Sequence, residues 1–130
     1  MLHAKGTFEV KMLPQAPDEA GGGATVGRLF IDKQFHGDLE AKSVGTMLGV
    51  RTKVEGSAGY VAQEVVTGTL AGHTGSFVLQ HTGMMSKGAL EQSVVVIPDS
   101  GTEGLSGIEG KMTIVIENGQ HHYRLDYTLP

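Results

Sequence analysis

The feature that most constrains this chain is a period of two. Apolar and polar residues alternate over stretches of about ten residues, each ending in glycine-containing punctuation. Phe8, Val10 and Met12 alternate with Thr7, Glu9 and Lys11. Further alternating runs cover roughly 25–36, 39–51, 58–70, 74–84, 89–98, 108–117 and 120–129, making eight candidate strands. No stretch sustains a helical period. Connections are short except around 13–24 and 99–107. Pro14, Pro17 and Asp18 lead into Gly21-Gly22-Gly23, so residues 15–24 are the expected mobile loop.

Eight strands with short connections predict an all-β fold: a single eight-stranded antiparallel up-and-down barrel, one domain over residues 1–130. Closure removes the sheet edges that invite aggregation. The 20 glycines, against only 4 prolines, fit this reading. Gly27, Gly45, Gly49, Gly68, Gly75, Gly83 and Gly110 fall inside strand patterns, where they permit the bends and close approaches of a small barrel. A flattened sandwich is the structural alternative.

The turns fix registers. Asn118-Gly119 between alternating runs predicts a two-residue type I′ hairpin. It sets Ile116 opposite His121, Ile114 opposite Tyr123, Met112 opposite Leu125 and Gly110 opposite Tyr127, with Thr113–Arg124 and Lys111–Asp126 on the other face. One face is then mostly apolar, and the other carries an opposite-charge pair. Gly110 beneath Tyr127 would let the ring lie over bare backbone. A Gly72-His73 loop pairs Gly68 with Phe77, Val66 with Leu79 and Glu64 with His81. A Ser86-Lys87 turn adds Val96 opposite Phe77, Val94 opposite Leu79 and Gln92 opposite His81. Slipping the Gly72-His73 loop by one residue on both sides keeps the faces and changes the partners, whereas a three-residue loop would break the match.

This places Glu64, His81 and Gln92 in one row on an apolar, inward face. A carboxylate beside an imidazole in an apolar setting is an acid–base pair, and Glu64 and His81 are the candidate catalytic residues. Gln92 can orient either partner or a ligand carbonyl. Tyr60, Phe77, His121, Tyr123 and Tyr127 share the interior as candidate ligand contacts. A structural reading competes with this one, since every buried polar group needs a partner. Met47, Met84 and Met85 fit an adaptable rim or simple core filling.

Six histidines raise the question of metal. None forms His-x-His or HExxH, and His121 and His122 point to opposite faces. A site from His81, His121 and Glu64 is conceivable for zinc, but no metal and no cofactor is expected. His36 and His73 lie near turns. The run Ser100–Gly110 lacks GxxxxGK[ST] spacing and precedes a strand, so it reads as a loop and a bend into the seventh strand. Gly-x-Ser-x-Gly is absent.

Charge narrows the partners. Lys+Arg total 10 and Asp+Glu 14, giving a net charge of −4 without a basic stripe, so no nucleic-acid partner is expected. With no cysteine, disulfides, thiolate nucleophiles and iron–sulfur clusters are excluded. No apolar run approaches the roughly 18 residues of a membrane span, and the first residues lack a signal-peptide core. The expected compartment is the cytosol, with no membrane association. Outward apolar patches at Val65, Thr67 and Val78, and at Val95 and Ile97, predict a homo-oligomer, specifically a dimer.

Several motifs together resemble a known group. These are Gly37-Asp38-Leu39-Glu40 after Phe35, Gly75-Ser76-Phe77-Val78-Leu79-Gln80-His81-Thr82-Gly83, Ser100-Gly101-Thr102, and His121-x-Tyr123-x-Leu125-Asp126-Tyr127. They are similar to a family of small bacterial proteins of unknown function that itself resembles allene oxide cyclase in fold. That resemblance spans nearly the whole chain and implies an eight-stranded antiparallel barrel with a central cavity. Allene oxide cyclase closes a ring in an apolar cavity with few polar residues; none of its functional residues maps onto this chain one by one. Three functions are therefore weighed: lumenal binding of a small apolar or amphipathic molecule, isomerase- or cyclase-type chemistry by Glu64 and His81, and a filled barrel serving assembly alone.

Overall fold

A computed structural model describes residues 1–15 and 26–130. The expected Gly21–Gly23 loop and the mobile segment assigned to 15–24 lie outside the described residues, apart from Gln15. The strands are β1 (Leu2–Gln15), β2 (Gly27–Gly37), β3 (Leu39–Arg51), β4 (Ala58–Leu70), β5 (His73–Ser86), β6 (Ala89–Val96), β7 (Glu109–Glu117) and β8 (Gln120–Thr128). They form a closed barrel in chain order. β8 returns antiparallel to β1, from Leu2↔Tyr127 to Phe8↔His121. The only helical element among the described residues is one 3-10 turn, Glu103–Leu105.

The Asn118-Gly119 hairpin has the expected register, including Ile114↔Tyr123 and Lys111↔Asp126. Both turn residues have positive φ, 50° and 78°. The expected β4–β5 and β5–β6 turns are each corrected by one residue on both sides. The β4–β5 turn is Ala71-Gly72 (φ 48° and 87°), and the β5–β6 turn is Lys87-Gly88 (φ 49° and 92°). The reason is common to all three. A type I′ turn matches the twist of its strands, needs positive φ at both central residues, and finds glycine easiest in second place. The expected loops put glycine first or left it out. As a result Val66 pairs with Phe77, Glu64 with Leu79 and Ala62 with His81. Val96 pairs with Leu79, Val94 with His81 and Gln92 with Gly83. Parity is preserved, so every inward residue stays inward.

The barrel has two unlike ends. At one end the β2–β3 and β4–β5 hairpins and the 97–108 segment meet. Phe35, Leu39, Leu70, Phe77, Leu79 and Leu125 fill the interior there and are almost fully buried. The 97–108 segment caps that end by inserting Leu105 and Ile108, 1% and 0% exposed. It is tied to β5 where β6 stops. Thr102 N donates to Ser76 O (2.9 Å), Ser76 N to Thr102 Oγ1 (3.0 Å) and Val78 N to Ser100 Oγ (3.0 Å). The Ser100–Thr102 and Gly75–Gly83 motifs are thus two sides of one contact.

At the other end the wall is incomplete. β6 and β7 share a single register pair, Val95↔Lys111. Beyond it they part, and the inward-face residues Leu90 and Ile116 are 56% and 63% exposed.

Candidate functional site

Three charged or ionisable side chains sit where the filled half meets the hollow half. β2 alternates Ile31, Lys33 and Phe35 inward, β4 brings Ala62 and Glu64, and β5 brings Leu79 and His81. Lys33 and His81 are each 5% exposed and Glu64 is fully buried. Lys33 Nζ donates to Glu64 Oε2 at 2.8 Å. His81 Nε2 lies 3.0 Å from the same oxygen, but without in-line hydrogen-bond geometry, so this nitrogen and Glu64 Oε1 have no hydrogen-bond partner among the described residues. Glu64 and His81 are diagonal neighbours rather than opposite residues, a separation that long side chains span readily. Gly45 faces Glu64. A Cβ there would lie 2.1 Å from Gln63 O and 2.8 Å from Glu64 Cβ, so β3 approaches β4 more closely than any side chain permits.

The electrostatics favour a charged Glu64. Burial alone pushes its carboxyl pKa up. The His81 contact and the Lys33 ammonium outweigh that and hold it below the ordinary value. Lys33 Nζ also lies 4.8 Å from the centroid of the Phe8 ring, a cation–π contact.

Above this level lies a cavity of about 450 Å³. Lys33 and His81 are its polar floor, and Phe8, Ile31, Met47 and Ile114 are among its apolar walls. Tyr60, Gln92 and His121 also line it, as three of the expected ligand contacts. Gln92 Nε2 donates to Tyr60 Oη at 2.9 Å. The Tyr60 ring covers Gly83, where a Cβ would meet Tyr60 Cε1 at 2.2 Å. His121 stacks at a tilt on Phe8, centroids 4.9 Å apart. A depression of about 730 Å³ continues the mouth along Pro14, Met47, Tyr60 and Leu90. Another of about 690 Å³ lies around Val61 and Met84. Neither reaches Lys33 or His81.

Phe77, Tyr123 and Tyr127 sit in the filled half and do not line the cavity. Tyr123 acts on the backbone instead. Its hydroxyl donates to His36 O (3.0 Å) and accepts from Leu39 N (2.9 Å), tying β8 to the β2–β3 hairpin. Burial, chiefly, pushes its phenol up to about 12, with the Asp38 and Glu40 carboxylates adding to the rise against the Leu39 hydrogen bond. Burial and Asp38 raise Tyr127 as well. The bare-backbone arrangement expected at Gly110 is realised by rings at Gly83 and at Gly6, under Tyr60 and Tyr123. At Gly110 the close neighbours are Asp126 O and the Tyr127 Cα and Cβ. Glu64, His81 and His121 do not converge: among the described residues no three His, Cys, Asp or Glu side chains are placed to hold a metal.

The sequence patterning does not single out Lys33. Its signal was there, a single cation between Ile31 and Phe35 on an alternating strand. Phe30 and Leu29 make both faces of β2 partly apolar, which hides it.

The molecule is therefore a closed antiparallel barrel with one filled half, one hollow half and a buried Lys–Glu–His group between them. Residues 4–127 match the family described as protein of unknown function (DUF3224), and the chain belongs to that family. It is similar throughout to a protein of unknown function of the same family from Shewanella oneidensis MR-1, with a crystal structure at 1.84 Å resolution. Identity is 47%, coverage is 100% of this chain and 98% of that one, and the TM-score is 0.95. No curated protein matches the chain. The barrel is consistent with the expected likeness to allene oxide cyclase, and nothing in the family or this neighbour supports that likeness beyond the barrel. No helix among the described residues is long and apolar enough to cross a membrane.

Proposed function

We propose that the hollow half of the barrel binds a small amphipathic molecule, its polar end on the Lys33–His81 floor and its apolar body against Ile31, Met47 and Ile114. The observation that carries this reading is a cavity of about 450 Å³ with apolar walls that ends on a buried charged group. Its size falls among small-molecule sites, which combine apolar walls with a few polar groups. A barrel serving assembly alone has no need of that space. The test is fluorescence titration with the neutral probe N-phenyl-1-naphthylamine, together with native mass spectrometry of the purified protein. Saturable binding that Ile114→Trp abolishes by filling the cavity is expected. No binding to the wild type, or binding unaffected by Ile114→Trp, overturns the reading.

The 3.0 Å contact between Glu64 and His81 supports a second, chemical reading. In it His81 moves a proton on a lumenal substrate and Glu64, behind the cavity wall, is the positioning residue. Turnover lost in His81→Phe with probe affinity retained separates it from binding alone. A homodimer would cover the outward face around Val65, where Val44 and Val61 are also about half exposed, whereas Val78, Val95 and Ile97 are only partly so. A monomer by light scattering removes it.

A further inference from the structure

We propose that the molecule held in the lumen is a small organic carboxylate with an apolar body, bound head-down at Lys33 and His81; this rests on the lumenal-binding reading above. The inference comes from counting donors and acceptors. An ammonium carries three N–H bonds. Lys33 has one hydrogen-bond acceptor among the described residues, Glu64 Oε2 at 2.8 Å. Lys33 lines the cavity, and apart from the Phe8 and Phe35 rings its ammonium meets no second partner among the described residues, so N–H bonds remain for whatever occupies that space.

The rest of the lining has the same polarity. No Asp or Glu side chain lines the cavity; Glu64 lies behind it. One of the two Gln92 amide N–H bonds goes to Tyr60 Oη, which leaves the other N–H and the Tyr60 hydroxyl proton free to donate. The Gln92 carbonyl is the one side-chain amide acceptor, and it belongs to an exposed residue of the mouth. At the floor, the carboxylate oxygen near His81 Nε2 can only accept, so the contact is favourable with the proton on that nitrogen. The other ring nitrogen is an acceptor in the neutral ring and a second donor only in the imidazolium. A floor rich in donors and poor in acceptors fits a ligand group that only accepts.

The form of the anion follows from the charge present. Lys33 and Glu64 cancel and His81 adds at most one positive charge, so the floor balances no more than a single negative charge. No arginine lines the cavity, so the bidentate fork that favours phosphate is missing. A dianionic phosphate would bring more charge into this apolar space than the floor balances.

The test uses three probes with the same apolar body: 4-tert-butylbenzoate, 4-tert-butylbenzyl alcohol and 4-tert-butylphenyl phosphate. Each is titrated calorimetrically and in competition with N-phenyl-1-naphthylamine. The benzoate is expected to displace the neutral probe and to bind at least tenfold more tightly than the other two. Lys33→Met should bring benzoate and alcohol to within about twofold of each other; if that variant does not fold, Lys33→Met with Glu64→Leu replaces it and the same result is expected. An alcohol that binds as tightly as the benzoate, or a tighter phosphate, overturns the carboxylate assignment. So does a benzoate preference that survives loss of Lys33. In those cases binding of the neutral probe leaves the lumenal site standing. If the neutral probe also fails to bind, the lumenal reading and this inference fall together.

Discussion

The two halves of the barrel are built from the same strands with the same alternation, yet one is solid and the other hollow. In the filled half the inward residues are large and meet across the axis, and Leu105 and Ile108 arrive from the 97–108 segment to close the end. In the hollow half the inward residues include Leu90 and Ile116, both left more than half exposed where β6 and β7 separate. Stability should therefore reside mainly in one half, leaving the other free to hold a ligand. The Lys33–Glu64–His81 group sits at the boundary and is the place where the two demands conflict.

The largest expected effect is at that boundary. Lys33→Met leaves a fully buried carboxylate without its ammonium and should cost about 3–5 kcal/mol in denaturant unfolding. Adding Glu64→Leu should restore most of the loss. A neutral Lys33→Met would show that the ammonium does not stabilise the buried carboxylate. Acid offers a second check. The Glu64 pKa is held below its ordinary value near 4.5, so its contribution is present above that value. It is lost as pH falls through the lower, folded pKa. The double variant should lose that part of the acid sensitivity.

Next comes a direct contrast of the ends. Leu105→Ala at the filled end should cost about 2–5 kcal/mol, whereas Leu90→Ala at the hollow end should cost less than about 1 kcal/mol. Equal losses would erase the distinction between the halves. Tyr123→Phe strands the Leu39 amide and should cost about 1–3 kcal/mol without changing probe affinity in the hollow half. The wild type should also weaken in alkali. A phenol raised from 10 to about 12 stabilises the fold fully below pH 10, and that stability is lost as pH rises through 12. In Tyr123→Phe this alkaline step should be reduced. The smallest effect is a gain. Ala71 holds a left-handed backbone at φ 48°, and Ala71→Gly should raise stability by up to about 1 kcal/mol. The change touches only an exposed turn, so probe affinity should not move.

Legibility in the sequence followed the same division between local and distant causes. The β7–β8 register was readable pair by pair because Asn118-Gly119 states both positive-φ positions in the sequence itself. At Ala71-Gly72 and Lys87-Gly88 only the second residue announces itself, so the partners slipped while the faces held. Glu64 and His81 were visible as polar residues on an apolar face. Lys33 is separated from Glu64 by 31 positions and by the whole of β3, so no turn or neighbouring strand points from one to the other.

The period of two by itself determined that this chain forms strands and which side chains share a face. Those are local consequences of the pleat, where successive side chains point to opposite faces whatever lies beyond. That the eight strands close into a barrel and not a sandwich was decided by the β8–β1 pairing. Only the tertiary structure decided which end is filled, because the 97–108 segment closes one mouth while β6 and β7 separate at the other. It also decided that Lys33, rather than Gln92, completes the group around Glu64. Curling the sheet brings inward side chains of non-adjacent strands within hydrogen-bond reach, and a buried carboxylate takes the cation that closure places beside it.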